Sequence, residues 1–377
     1  MRLLTAGESH GSYNVAILEG FPKGVRIEQR FINEELKRRM TGVGRGGRML
    51  IEEDSAEIVS GLRNKITLGS PIAILIKNKD AKIFAQASDN LASLSIPRPA
   101  HADLCGALKY GEKDLRNILE RASARETVAR VAVGAICKQF LSLFRVRIAS
   151  FTVGVGRVLS GVKPKDISEI IASRKQELNC IDAVAGKQMI KAIKQAQSSG
   201  DSLGGIVEVW VDGLVCGLGS FMHFDKRLDA KLAGYLMSIP AVKGVEIGLG
   251  FKYAQERGSL SHDAIYYSPS KKFYRNTNNS GGIEGGISTG SPVVMRVAMK
   301  PIATLCKPLE SVDLMTKKKE KAMVERCDTC AIVALSVIAE AMSSLAVTES
   351  FLEKFSCDSL PEIKRNYQGY LKSIDNL

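Results

Sequence analysis

Two of the chain's four histidines sit in short motifs rich in glycine and charge, Gly7-Glu8-Ser9-His10-Gly11 and Arg98-Pro99-Ala100-His101-Ala102-Asp103. Imidazole is the side chain whose ordinary pKa, about 6.5, lets it give and take a proton near neutrality. Histidines used so sparingly, with half of them in such settings, point to proton transfer. The commoner fate of a single histidine is a hydrogen-bonded structural one, and His223 and His262, with less distinctive neighbours, read that way.

Three further segments suit anions. In Arg121-Ala122-Ser123-Ala124-Arg125-Glu126, Ser123 and Glu126 have the spacing of a capping box. That pattern opens a helix from Ala124 to about Phe144, with Val128, Val131, Ala132, Ala135 and Ile136 at helical spacing. A helix start offers free N–H groups and a positive dipole end, here flanked by Arg121 and Arg125. A well-capped core helix with surface arginines explains the same residues equally well. The cluster Arg38-Arg39-Met40-Thr41-Gly42-Val43-Gly44-Arg45-Gly46-Gly47-Arg48 has no GK[ST] and no preceding strand, so it is neither a P-loop nor a dinucleotide fingerprint. A mobile anion-binding loop is the expectation there. The glycine-rich stretch from Asn278 to Gly290 suits a backbone curled against a ligand, or a run of tight turns. Lys300-Pro301 and Arg326-Cys327-Asp328 add cations and a carboxylate.

The elements that must carry these residues alternate along the chain. Glu57–Val59 and Ile72–Ile76 are β-rich, and Val207, Val209 and Val211 alternate with Glu208 and Trp210 as in a strand with two different faces. Met189, Ile190, Ile193 and Ala196 mark an amphipathic helix ended by Ser198-Ser199-Gly200. The run from Ala331 to Val347 is broken by Ser336, Glu340, Ser343 and Ser344 and reads as a buried helix, not a membrane span. A mixed α/β protein follows.

Composition narrows the partners. Of 377 residues 45% are hydrophobic and 25% charged, which is ordinary for a globular chain, and 53 basic against 40 acidic residues leave a net charge of +13. Such a balance gathers anions. Single-stranded nucleic-acid sites interleave cations with stacking aromatics, but aromatics are only 6% here, so small anions are favoured over nucleic acid. The run Lys317-Lys318-Lys319 reads as a solvated face. Eight scattered cysteines read as reduced thiols; Cys327 and Cys330 form a CxxC without zinc spacing, so no metal is expected. Met1–Ala6 has no signal-peptide core, and a cytoplasmic enzyme is expected.

In combination these segments resemble the chorismate synthase family. Lys109-Tyr110-Gly111, Asp201-Ser202-Leu203-Gly204-Gly205, Phe224-Asp225-Lys226 and Ala241 to Gly248 follow in the same order. The resemblance runs from Gly7 to the helix after Cys330 and adds little beyond about Phe351. It implies one α/β (α+β) domain over 1–377, with antiparallel sheets packed with helices, internal pseudo-symmetry and assembly as a homotetramer. It implies an anti 1,4-elimination of phosphate from 5-enolpyruvylshikimate 3-phosphate to give chorismate, dependent on reduced FMN.

Position by position, the resemblance makes His10 the residue that protonates the departing phosphate and His101 the one that protonates reduced flavin near N1. Ser9 and Asp328 become a proton relay for flavin N5. Arg39, Arg45, Arg48 and Arg125, with Arg326, would grip substrate anions. FMN would lie against Arg121, Ala122 and Ser123, against Pro240 and Ala241, and against Gly285. Its further contacts would be Lys300, Pro301, Ile302, Ala303 and Thr304, and Arg326. Arg39 and Arg45 are also where the family's descriptions place NADPH, here expected only as a flavin reductant. The chain departs from the family's usual Arg-His-Asp at Cys327, and from its Lys-Pro-Thr-Ser-Ser at Ile302 and Ala303. The rival readings are an NADPH-dependent flavin reductase and a basic RNA-binding protein.

Overall fold

A computed structural model describes residues 1–46, 53–79, 81, 93–324 and 328–376. The first sheet consists of β1 (Arg2–Ala6), β2 (Tyr13–Glu19), β3 (Ala56–Ser60) and β4 (Ile72–Lys77). Its order is β1-β2-β4-β3, antiparallel throughout, with Leu4 opposite Ile17 and Ala16 opposite Ile74. The second contains β5 (Arg147–Val155), β6 (Val158–Leu159), β7 (Gly205–Asp212), β8 (Val242–Ile247) and β9 (Val293–Met299). Its order is β8-β9-β7-β5-β6, again antiparallel. The alternation read in β7 is real: Val207, Val209 and Val211 are fully buried, and Trp210 is half-buried on the other face.

The main helices are α1 (Gln29–Met40), α2 (Asp103–Tyr110), α3 (Arg116–Ala122), α4 (Thr127–Ser142), α5 (Ala183–Ser198), α6 (Leu228–Met237), α7 (Ile332–Lys354) and α8 (Leu360–Asp375). Helix α4 lies on the first sheet through β2 and β4, α7 lies on the second through β5 and β7, and the two helices pack against each other. The result is a sheet–helix–helix–sheet sandwich. Gly134 makes the crossing possible, because a Cβ there would lie 2.4 Å from the Cβ of Ala341. Helix α7 is long and apolar enough to span a membrane by composition, but it is nearly all buried. Fully burying each of Leu335, Val337 and Leu345 contributes about 1.5–3 kcal/mol.

A cluster of charged residues inside this sandwich is paired. Glu340 of α7, fully buried, accepts from Arg38 at 3.1 Å, Lys138 at 2.6 Å and Arg174 at 3.1 Å. Lys138 also binds Glu35. Burial opposes ionisation of Glu340, yet Arg38, Lys138 and Arg174 prevail and hold its pKa well below the usual range.

Two local expectations change. The helix expected from Ala124 begins as a 3₁₀ turn, Ala124–Glu126, before α4. Ser123 does cap it, accepting from the Arg125 N–H at 3.3 Å, but the buried Glu126 pairs with Arg130 instead of closing a capping box. The described part of the arginine–glycine cluster, up to Gly46, is not loop throughout. Arg38 and Arg39 end α1, whose buried Ile32, Leu36 and Arg39 share one helical face. From Thr41 to Gly46 the backbone is pinned: Gly44, at φ +85°, accepts from the Thr329 N–H at 2.7 Å, and its missing Cβ leaves room for Ile193 and Cys330.

Candidate active site

The turn after β1 carries His10 and is held from below by α3. The Ser9 N–H donates to the Glu120 carbonyl at 2.9 Å, and the His10 N–H donates to Glu120 Oε2 at 2.8 Å. Glu120 Oε1 lies 2.8 Å from His10 Nδ1. The carboxylate therefore takes the Nδ1 hydrogen and leaves Nε2 as the nitrogen available for proton exchange. Arg121 braces the same turn, donating to the carbonyls of Gly7 at 2.9 Å and Thr5 at 3.0 Å. The Ser123 hydroxyl donates to Ser9 Oγ at 3.1 Å.

Beside this turn lies a buried charge cluster. Asp54, whose side chain is fully buried, pairs with Arg125 at 2.7 Å and Arg39 at 3.2 Å. Arg45 pairs with Asp328 at 2.6 Å, and the Gly46 N–H donates to the same carboxylate. Among the described residues, three guanidiniums thus face two carboxylates. Burial, with Arg125 and Arg45 nearby, brings the Arg39 pKa down to about 10 despite Asp54 and Asp328. The excess positive charge suits a bound anion.

His101 opens α2. Its Nδ1 lies 2.5 Å from Asp103 Oδ1, and Arg98 adds bonds to Asp103 Oδ2 at 2.8 Å and to Thr304 Oγ1 at 3.3 Å. Burial would raise the Asp103 pKa, but His101 and Arg98 outweigh it and hold it far below the usual range. As a carboxylate Asp103 can only accept, so again Nδ1 carries the hydrogen and Nε2 is left for chemistry. Lys300 Nζ donates to the Ala100 carbonyl at 2.8 Å, and the Lys300 N–H donates to the Ala241 carbonyl at 2.9 Å. Both alanines are left-handed, at φ +61° and +72°. Such strain costs on the order of 1–3 kcal/mol per residue and gathers at functional sites.

The two histidine sites are joined through the fold. Helix α2, which His101 leads, packs on α3, which holds His10. The Leu203 N–H donates to the Thr329 carbonyl, and Ser202 Oγ donates to the Ile302 carbonyl at 2.7 Å, so the Asp328 and Lys300 segments share one support. Ala122 ends α3 beside Ser123, and Pro240 and Ala241 lead into β8. Pro301 and Ala303 flank the supported Ile302 carbonyl. Gly285 stands apart. It lines a cleft of about 560 Å³ with Ile247, Tyr253 and Glu284, at the opposite end of β8 from Ala241, roughly 20 Å along an extended strand. Arg48, Arg326 and Cys327 lie outside the described residues.

Glu120, Asp54 and Asn78 carry no signal in the sequence motifs, and Asp103 stands out only as the end of one. The Asp103 spacing, two residues after His101, was a usable signal; the others come from remote segments. Among the remaining residues, His223 is exposed, His262 lies near the Tyr253 ring, and burial pushes the Cys330 thiol up to about 11.

The residues fit a phosphate-bearing flavin. Lys300 has its pKa lowered by burial and by neighbouring Lys243, as expected of a cation short of negative charge. Ser123 and Thr304 add hydroxyls.

The family model for chorismate synthase matches residues 1–352. The chain is 49% identical to a chorismate synthase of Alkaliphilus metalliredigens, over 98% of this chain and 99% of the other. It is 48% identical to one of Carboxydothermus hydrogenoformans, over 100% and 99%. A crystal structure of chorismate synthase superposes with a TM-score of 0.80 at 40% identity, covering 100% of this chain and 98% of that one. Likeness on this scale spans both histidine sites, the arginine cluster and the loops that support them, and the chain accordingly belongs to the chorismate synthase family, enzymes that release phosphate as carbon–oxygen lyases.

Proposed function

We propose that this chain converts 5-enolpyruvylshikimate 3-phosphate to chorismate and phosphate, with its two histidines as separate proton-transfer groups. The observation that carries the reading is a histidine with its Nε2 left open, set beside a buried cluster with more guanidinium than carboxylate. Arg39, Arg45 and Arg125 bind the substrate's anionic groups. His10, oriented by Glu120, holds a proton at Nε2 for the departing phosphate. Reduced FMN, when bound, would supply transient electron donation with no net redox change.

Arg121, Ser123, Ala241, Lys300 and Thr304 would hold the flavin, with Lys300 a counter-charge to its phosphate. His101, oriented by Asp103 and Arg98, holds a proton at Nε2 for the flavin ring. Ser9 and Asp328 serve as the relay. Their present partners are Ser123 and Arg45, which each would exchange during turnover.

The RNA reading loses its basis, since Arg39 is buried and Arg45 is mostly covered and paired. A homotetramer is supported by the outer face of the first sheet, where Leu4, Tyr13, Ile17 and Val59 stand exposed. The test of function is anaerobic turnover with dithionite-reduced FMN, following chorismate absorbance. Turnover that requires reduced FMN and leaves it reduced is expected; one flavin oxidised per chorismate formed overturns the reading.

A further inference from the structure

Asn78 follows β4, is 1% exposed, and belongs to none of the chemistry-bearing motifs. Its Nδ2 donates to three carbonyls of the His10 turn: Gly11 at 2.6 Å, Glu8 at 3.2 Å and Ser9 at 3.4 Å. Its Oδ1 accepts from Arg125 Nε at 2.9 Å and from Asn14 Nδ2 at 2.9 Å. Backbone carbonyls only accept and guanidinium only donates, so the amide can face only this way.

Buried backbone groups must be paired, and the turn's pairs divide cleanly. The Ser9 and His10 N–H groups go to Glu120 of α3, and the Gly7 carbonyl goes to Arg121. The Glu8, Ser9 and Gly11 carbonyls share one amide, whose other end holds an arginine of the anion cluster.

We propose that Asn78 is a positioning residue that couples the anion grip to the proton donor. Arg125, placed by the substrate's negative charge, fixes the Asn78 amide. The amide in turn fixes the backbone that carries Ser9 and His10. The coupling rests on the roles given above to Arg125 and His10.

Asn78→Asp and Asn78→Ala separate the two ends. The aspartate keeps an acceptor for Arg125 but cannot donate to the turn; the alanine loses both. Amide exchange at Ser9, His10 and Gly11, measured without substrate, should rise at least tenfold in both variants. Turnover with reduced FMN should lose at least tenfold in kcat in both. KM should rise about tenfold in Asn78→Ala only, the scale of one lost hydrogen bond to a charged group. Asn78→Ser, a milder replacement, takes the place of Asn78→Asp in the exchange and kcat measurements should that variant fail to fold. Unchanged exchange in the turn, wild-type kcat, or equal KM increases in Asn78→Asp and Asn78→Ala would overturn the coupling. Exchange reads the turn without turnover, so an error in the role of His10 shows separately, as full activity in His10→Ala.

Discussion

Asp54 is the keystone of the arginine cluster, and Asp54→Asn tests whether that cluster is an anion site. The carboxylate is fully buried between Arg125 at 2.7 Å and Arg39 at 3.2 Å, both nearly buried themselves. Removing one partner from a buried pair costs about 3–5 kcal/mol. Asparagine keeps the shape and one acceptor, so the lower end, about 3 kcal/mol, is expected here. The same change leaves three guanidiniums facing one carboxylate, so phosphate should bind more tightly to the variant. Phosphate at about 100 times its dissociation constant returns about 2.7 kcal/mol. The variant should thus unfold at much lower urea than the parent in phosphate-free buffer and recover most of the loss in phosphate, while the parent gains less. Urea titrations of both proteins across a phosphate series make the assay. Equal phosphate stabilisation of the two, or a variant as stable as its parent without phosphate, would refute an anion site at this cluster.

His10→Ala and His101→Ala should each lose activity on the order of 10²–10⁴-fold while unfolding like the parent, measured at saturating substrate and reduced FMN. Arg45→Ala should weaken substrate binding by about 1.5–3 kcal/mol, a roughly ten- to hundredfold rise in dissociation constant by titration; unchanged affinity would remove Arg45 from the substrate site. Burial opposes ionisation of Glu35, Glu340 and Asp103, yet their basic neighbours, with His101 beside Asp103, lower all three pKa values. Their contribution to stability is therefore complete above the unfolded values of about 4 and is lost as pH falls through the lower native ones. Urea midpoints should hold flat with respect to these groups down to about pH 5 and then drop.

What the sequence revealed follows the range over which residues speak to one another. Periodicity is local, so the alternation at Val207, Val209 and Val211 and the apolar run after Ala331 were legible, and the structure turns them into β7 and α7. Arg39 was misplaced because the glycines that follow it suggested a loop. Its spacing from Ile32 and Leu36 was the better signal, since all three share the buried face of α1. Asp54 and Asn78 carried no local signal. Each earns its place only when β3, β4 and α4 bring it to Arg125.

The two histidines show the same division within one site. His101 finds its carboxylate two residues away, on the first turn of the helix it leads, so its orientation is written into the motif. His10 finds its carboxylate on Glu120, and the two meet only because α3 docks beneath the turn after β1. Its backbone is completed by Asn78 from the far side, itself held by Arg125. The geometry of His101 therefore depends mainly on local structure and that of His10 on the assembled fold. The arginine cluster lies against the second of these, where tertiary packing alone sets the distance between His10 and Arg125. A chain that keeps both motifs but loses the docking of α3 would retain an oriented His101 and an unsupported His10.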